Sequence, residues 1–327
     1  MLTRYEHAPG AHCGSSSLRN LAAHYGWGFD EPFCFGLGAG LGFGYYEGGP
    51  ASRTIMGRNG RLETFFFDNL GVDYVERSGQ EWPAAWDDVR ARLDAGTPVM
   101  LFVDLYYLDY FDTSTHFGPH VVLCIGGDED EVVLSDGEFD ERQTVGTDDL
   151  RRAWNSEHGF APLENHWLAV TDPTVLEDVA PAVRAAVERT ATVMLDSGDS
   201  AWDTQGVAGI RQFAEELPDW HRFEDTEWCA RFAYQNVERR GTGGGAFRRL
   251  YADFLDQASS AVELPEGSSD RLHAIADDWT ALAGTLKDVS EADPDEQRGK
   301  LERAGEQATA LADEESAFFG RLRDAVR

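Results

Sequence analysis

Cys13 is the one of four cysteines whose neighbours suit chemistry. It follows a turn at Pro9 and Gly10 and leads an apolar-periodic run, Leu18, Leu21, Ala22 and Tyr25, which predicts a helix that starts at the cysteine and closes at Gly26. At a helix start, the free backbone N–H groups and the dipole favour a thiolate. A cysteine nucleophile also needs a base within hydrogen-bond reach and a third group to orient that base, neither of them necessarily close in sequence. His120 opens the apolar run 120–125, Asp136 follows the run 131–135, and the stretch from Gly126 to Asp130 is turn-rich. An antiparallel hairpin therefore sets His120 and Asp136 nearly opposite each other. The expected roles are Cys13 as nucleophile on an acyl carbonyl, His120 as proton acceptor and donor, and Asp136 as the group that fixes the imidazole tautomer. The Cys13 amide is the expected oxyanion donor, with His7 as a side-chain donor from the preceding turn.

Other residues compete for these roles. Cys34, Cys124 and Cys229 have apolar neighbours and read as packing. His116, four residues before His120, is the rival base. His12 adjoins Cys13 and is expected to support the site by capping the local turn. Asp128 and Asp130 read as hairpin-turn residues. Ser15, Ser16 and Ser17 lack the strand, elbow and helix context of a serine nucleophile. With no H-E-x-x-H pattern and no paired cysteine ligands, neither a metal nor a cofactor is expected.

The elements that must hold this constellation fall into two parts. Short strands are expected at 72–75, 98–103, 120–125, 131–135 and 166–170, with helices at 83–93 and 147–154. Beyond Thr171 to Thr174 the texture becomes helical to the end. Phe247, Leu250, Tyr251, Phe254 and Leu255 share one helical face, as do Leu272, Ile275, Ala276, Trp279, Leu282, Ala283 and Leu286. The reading is an α+β chain, with an N-terminal catalytic domain (1–172) built on an antiparallel sheet and an all-α C-terminal domain (173–327). Between the first helix and the sheet, Gly36, Gly38, Gly40, Gly42 and Gly44 alternate with larger residues. This reads as an extended segment with one bare face, where a backbone or a substrate approaches Gly38 and Gly40 closely. Gly241 to Gly245 ahead of Arg248 is either a phosphate cradle at a helix start, as for a carrier's pantetheine arm, or a helix connection.

The 327 residues include 59 Asp and Glu against 28 Lys and Arg, for a formal net charge of −31, and only Lys287 and Lys300 are lysines. An acidic, lysine-poor surface fits a protein adapted to concentrated salt and makes nucleic acid an improbable partner. No apolar run is long enough to cross a bilayer, and without paired cysteine spacing a reducing cytoplasmic setting is expected.

The order of a helix-leading cysteine, a histidine opening one strand and an aspartate ending the next resembles papain-like cysteine peptidases of the bacteriocin-processing type. Three features together resemble the BtrH family more closely: His12 to Ser16, the run Phe35 to Leu41, and a helical C-terminal half carrying Gly241 to Arg248. That family is named for the butirosin-pathway acyltransferase. The resemblance implies a papain-like N-terminal domain whose cysteine takes an acyl group from an acyl carrier protein, or another thioester donor, and delivers it to an amine-bearing small molecule. A cysteine peptidase or amidase, in which water resolves the same intermediate, is the alternative. A non-catalytic binding protein on the same scaffold is the third reading.

Overall fold

The computed structural model describes residue 2 and residues 5–158, 161–173, 176–196 and 205–327. Two compact units divide the chain: residues 1–34 with 71–177, and residues 35–70 with 178–327. The segment 35–70, which the sequence alone assigned to the N-terminal domain, thus groups with the C-terminal helices. Thr174, at the end of the expected change in texture, lies outside the described residues. No described helix is long and apolar enough to cross a membrane.

Among the described residues, eight strands form: β1 (Leu41–Glu47), β2 (Arg53–Arg58), β3 (Asp73–Arg77), β4 (Val99–Val103), β5 (His120–Gly127), β6 (Glu131–Ser135), β7 (Gln143–Gly146) and β8 (Trp167–Asp172). In the first unit, six of them form an antiparallel sheet in the order β3-β8-β4-β5-β6-β7. Alternate residues of the central strands, Val99, Leu101 and Val103, Val122 and Cys124, and Val132 and Leu134, share one core with Trp86 and Val89 of the helix Trp82–Asp94 and Leu150 and Trp154 of the helix Thr147–Trp154. Helix α1 (Cys13–Tyr25) closes at Gly26, whose φ of 75° suits glycine, and it packs along β5, with the Ser17 hydroxyl donating to the Val121 carbonyl.

The second unit holds the β1-β2 hairpin, the helix Leu62–Leu70 and long helices that include Arg248–Ala258, Ser268–Ser290 and Pro294–Val326. Here the structure corrects the reading of the glycine run. Asp30 accepts the Phe33 amide at 2.9 Å and starts a short helix, α2 (Glu31–Leu37), so the first glycine of the run is helical and only the stretch from Leu41 is a strand. Gly38 and Gly40 serve packing. An added Cβ would stand 2.5 Å from the Leu62 carbonyl oxygen at Gly38 and 2.6 Å from the Phe35 ring at Gly40.

Arg248 is corrected in the same way. Fully buried, it donates to both carboxylate oxygens of Glu315 at 2.8 Å and to the carbonyls of Ala246 and Gly42 at 2.8 and 3.2 Å. The Trp279 indole donates to Glu315 as well, at 2.6 Å. A guanidinium so engaged, with no exposed surface, is not open to a substrate. In the glycine-rich loop, the Gly245 amide donates to Glu238 and the Gly244 amide to the Thr242 hydroxyl, which makes 241–245 a helix connection.

Removing one partner of a buried ion pair strands the other in low dielectric, at a cost of about 3–5 kcal/mol. Arg248→Met is therefore expected to lower the urea midpoint by a corresponding amount. An unchanged midpoint would refute a structural role for this pair.

Candidate active site

Cys13 occupies the first position of α1, and a carboxylate from α2 holds the turn ahead of it. Glu31 Oε2 accepts the Ala11 amide, while Oε1 accepts the His12 amide and the Ser15 hydroxyl, each at 2.9 Å. His12 is the N-cap: its Nδ1 accepts the Ser15 amide at 3.2 Å, and its carbonyl accepts the Ser16 amide at 2.9 Å. With those two amides satisfied, the first-turn donors that remain are the amides of Cys13 and Gly14.

Two glycines let this turn lie against the segment that carries Asp136. The Gly10 amide donates to the Gly137 carbonyl at 2.8 Å. An added Cβ on Gly137 would collide with Ser16 Oγ, and one on Gly10 would stand 2.5 Å from Ser16 Cβ. Each position needs a residue with no side chain.

His120 and Asp136 meet, though not by the route expected. His120 Nε2 donates to Asp136 Oδ2 at 2.9 Å, with both residues buried. Near the turn, β5 and β6 pair Gly127 with Val132 and Gly126 with Val133; past Ile125 the pairing becomes Cys124 with Leu134 and Leu123 with Ser135. Ile125 is thus the extra residue of a β-bulge. Had the first register continued, Asp136 would lie across from Leu123, on the sheet face away from His120. The bulge shifts it across from Val122, on the face of His120 and one diagonal step away. Asp136 is further fixed by the Tyr110 hydroxyl at 3.1 Å and the Glu138 amide at 3.1 Å, and the Phe111 ring meets His120 edge-on at 5.3 Å.

These contacts set the charges. Burial works against ionising Asp136, but the charge and hydrogen bond of His120, the Glu138 amide and the Tyr110 hydroxyl outweigh it and hold the carboxyl below its usual range. Burial likewise disfavours a charged His120, yet the charge and hydrogen bond of Asp136, followed by those of Cys13, push the imidazole up to about 10. Burial would raise the Cys13 thiol; His12, by charge and hydrogen bond, and then His120, by hydrogen bond and charge, bring it well below an ordinary thiol. The other cysteines behave oppositely. Burial pushes Cys34 well up, Cys124 to about 12 and Cys229 to about 11. The two shifts run in the directions that favour a thiolate at Cys13 beside an imidazolium at His120.

The remaining candidates fall elsewhere. His7, the expected oxyanion donor, has both ring nitrogens engaged, Nδ1 with Ser135 Oγ at 2.8 Å and Nε2 with the Phe139 carbonyl at 2.9 Å. It braces the segment after Asp136. His116 donates to Asp104 at 2.6 Å and is stacked between Tyr106 and His158, so it forms a second couple apart from Cys13. Glu31 and Tyr110 went unread in the sequence. The signal for Glu31 was Asp30-Glu31-Pro32, an N-cap followed by an acidic residue and a proline of the first helical turn. Among the described residues, no group of three or more His, Cys, Asp or Glu is arranged to hold a metal ion.

Two family matches cover most of the chain. Residues 12–137 match the family described as Butirosin biosynthesis protein H, N-terminal, and residues 148–322 match the one described as Domain of unknown function (DUF4872). A comparison with curated proteins finds no match.

The thiolate and imidazolium coexist only above the lowered pKa of Cys13 and below the raised pKa of His120. Native protein treated briefly with iodoacetamide at mildly acidic pH is therefore expected to take a single label, on Cys13. Its rate profile should rise well below pH 9 and inflect again near about 10. Asp136→Asn removes the charge that raises His120 and should slow the acidic-pH reaction about tenfold for each pKa unit lost. Intact-mass and peptide mapping read both effects, and label on a buried cysteine before Cys13 would contradict the assignment.

Proposed function

The chain belongs to the BtrH family in its N-terminal part and to the DUF4872 family over more than half of its length, and from that premise we propose a cysteine-dependent acyltransferase. The observation that carries the reading is the buried couple of His120 and Asp136, with Cys13, whose thiol is lowered in part by His120, at the first position of α1. The donor is an acyl thioester, carrier-bound in the cell, and the acceptor is an amine-bearing small molecule. A helix-borne cysteine alongside an antiparallel sheet supports a papain-like N-terminal domain.

The Cys13 thiolate attacks the thioester carbonyl, and the oxyanion takes hydrogen bonds from the Cys13 and Gly14 amides. As the tetrahedral species collapses, the carrier sulfur leaves and collects the proton of His120, which leaves an acyl-cysteine and a neutral imidazole. The acceptor amine then attacks the acyl carbon. His120 removes its proton, and the Cys13 thiolate departs beside the restored imidazolium. Asp136 keeps the ring oriented through both halves. The acidic, lysine-poor composition supports work in concentrated salt, and four cysteines without paired spacing support a reducing cytoplasm.

Incubation with an acyl-pantetheine thioester in high salt is expected to add one acyl mass to the wild-type chain and none to Cys13→Ala. A primary amine should then discharge the adduct faster than buffer alone, with the amide appearing as product. Discharge by water at the same rate with or without amine would replace the transferase reading with a hydrolase, and absence of any adduct would overturn both.

A further inference from the structure

A second buried aspartate governs a segment to which the reaction above gives no role. Asp104 stands just past β4, fully buried, and four donors meet on its carboxylate. Oδ1 accepts the amides of Tyr106 at 3.1 Å and Phe117 at 3.0 Å, while Oδ2 accepts His116 Nδ1 at 2.6 Å and the Ser156 hydroxyl at 2.7 Å. Burial works against a charge here, and these donors outweigh it, holding the carboxyl below its usual range. The two amides lie at opposite ends of one loop. The Leu105 amide also donates to the Phe117 carbonyl at 3.0 Å, so residues 105–117 leave and return at one neck, in the manner of an Ω-loop. The neck is tied to the helix Thr147–Trp154 as well, because the Asp104 amide donates to the Ala153 carbonyl at 2.9 Å.

The far part of the loop reaches the couple of His120 and Asp136. The Tyr110 hydroxyl donates to Asp136 Oδ2 at 3.1 Å, and this is the same oxygen that accepts His120 Nε2 at 2.9 Å. The Phe111 ring meets His120 edge-on, and the rings of Tyr110 and Phe111 both pack against Phe139, at 5.2 and 5.1 Å. Two donors on one carboxylate oxygen share its charge, so the Tyr110 hydroxyl weakens the pull of Asp136 on the imidazole proton. We propose that Asp104 is a positioning residue for this couple: by closing the loop 105–117 at its neck, it seats the Tyr110 hydroxyl on Asp136 and so sets how firmly His120 holds its proton. His116 is one donor of the clasp, with its ring stacked between Tyr106 and His158. The inference rests on His120 being the proton carrier for Cys13.

The test reads the upper inflection of the Cys13 alkylation profile in the full chain, with hydrogen exchange of the 105–117 amides measured beside it. Tyr110→Phe keeps the ring and removes only the hydroxyl, which leaves Asp136 Oδ2 to His120 alone. The inflection is expected to rise by about half a pH unit. Asp104→Asn keeps the shape of the side chain and loses the charge that gathers the four donors. Exchange across 105–117 should quicken, and the inflection should move in the same direction as in Tyr110→Phe. The double variant should move it no further than Tyr110→Phe alone. A folded Tyr110→Phe with the wild-type inflection would show that the hydroxyl does not tune His120 and would overturn the proposal. An Asp104→Asn with the wild-type inflection, whether or not the loop loosens, would make Asp104 a loop anchor only and overturn it as well. Should Asp104→Asn not fold, His116→Phe takes its place, since it keeps a ring in the stack and removes one donor from the clasp. A wild-type profile with no upper inflection would instead overturn the coupling of His120 to Cys13, an outcome distinct from failure in the variants alone.

Discussion

The hydrogen bond from the Gly10 amide to the Gly137 carbonyl joins the two halves of the site. One of these residues precedes the nucleophile by three positions, and the other directly follows the aspartate that orients the base. Side chains ordinarily keep such turns apart; here both close approaches meet Ser16, and glycine at each side removes the obstacle. What stands on either side of this contact is rigid for its own reasons. Glu31 satisfies the turn before α1, and Tyr110, Glu138 and His120 each donate to the Asp136 carboxylate. A charged group buried among fixed donors loses little to reorganisation when charge moves nearby.

Much of this was legible in the residues. The limits of α1, from Cys13 to the glycine cap at Gly26, follow from a turn, an apolar period and a C-terminal glycine. The strands 120–127 and 131–135 follow from β-branched runs around a polar turn, and the pairing of His120 with Asp136 follows from their positions in that hairpin. The hairpin alone does not produce that pairing, because without the bulge the register of its turn would set Asp136 on the wrong face. Nothing in Cys124-Ile125-Gly126 announces a bulge, since its signature is the pairing partner, which is non-local.

The misread parts share a cause. Alternating glycines predict a substrate-facing strand, because period two is the mark of a strand, yet Asp30 and Pro32 commit the first of them to a helix. Local sequence leaves Arg248, behind its glycine loop, open to a phosphate cradle or a helix connection. Its partner, Glu315, lies in the last helix, sixty-seven residues away, and no local pattern reveals it. His7 reads in the sequence as a donor from the turn before Cys13, whereas Ser135 and Phe139 engage both of its ring nitrogens.

The lowered pKa that favours a reactive Cys13 thiolate also favours its oxidation. Peroxide attacks a thiolate far faster than a thiol, and the other three cysteines are buried and held protonated. A sulfenic acid formed at Cys13 thus finds no ready thiolate in its own chain to trap it as a disulfide, and rescue falls to small thiols from solution. Without them, oxidation runs on to the sulfinic acid, which is not reversed by simple reductants. The chain depends on the reducing power of its surroundings for the persistence of a single sulfur.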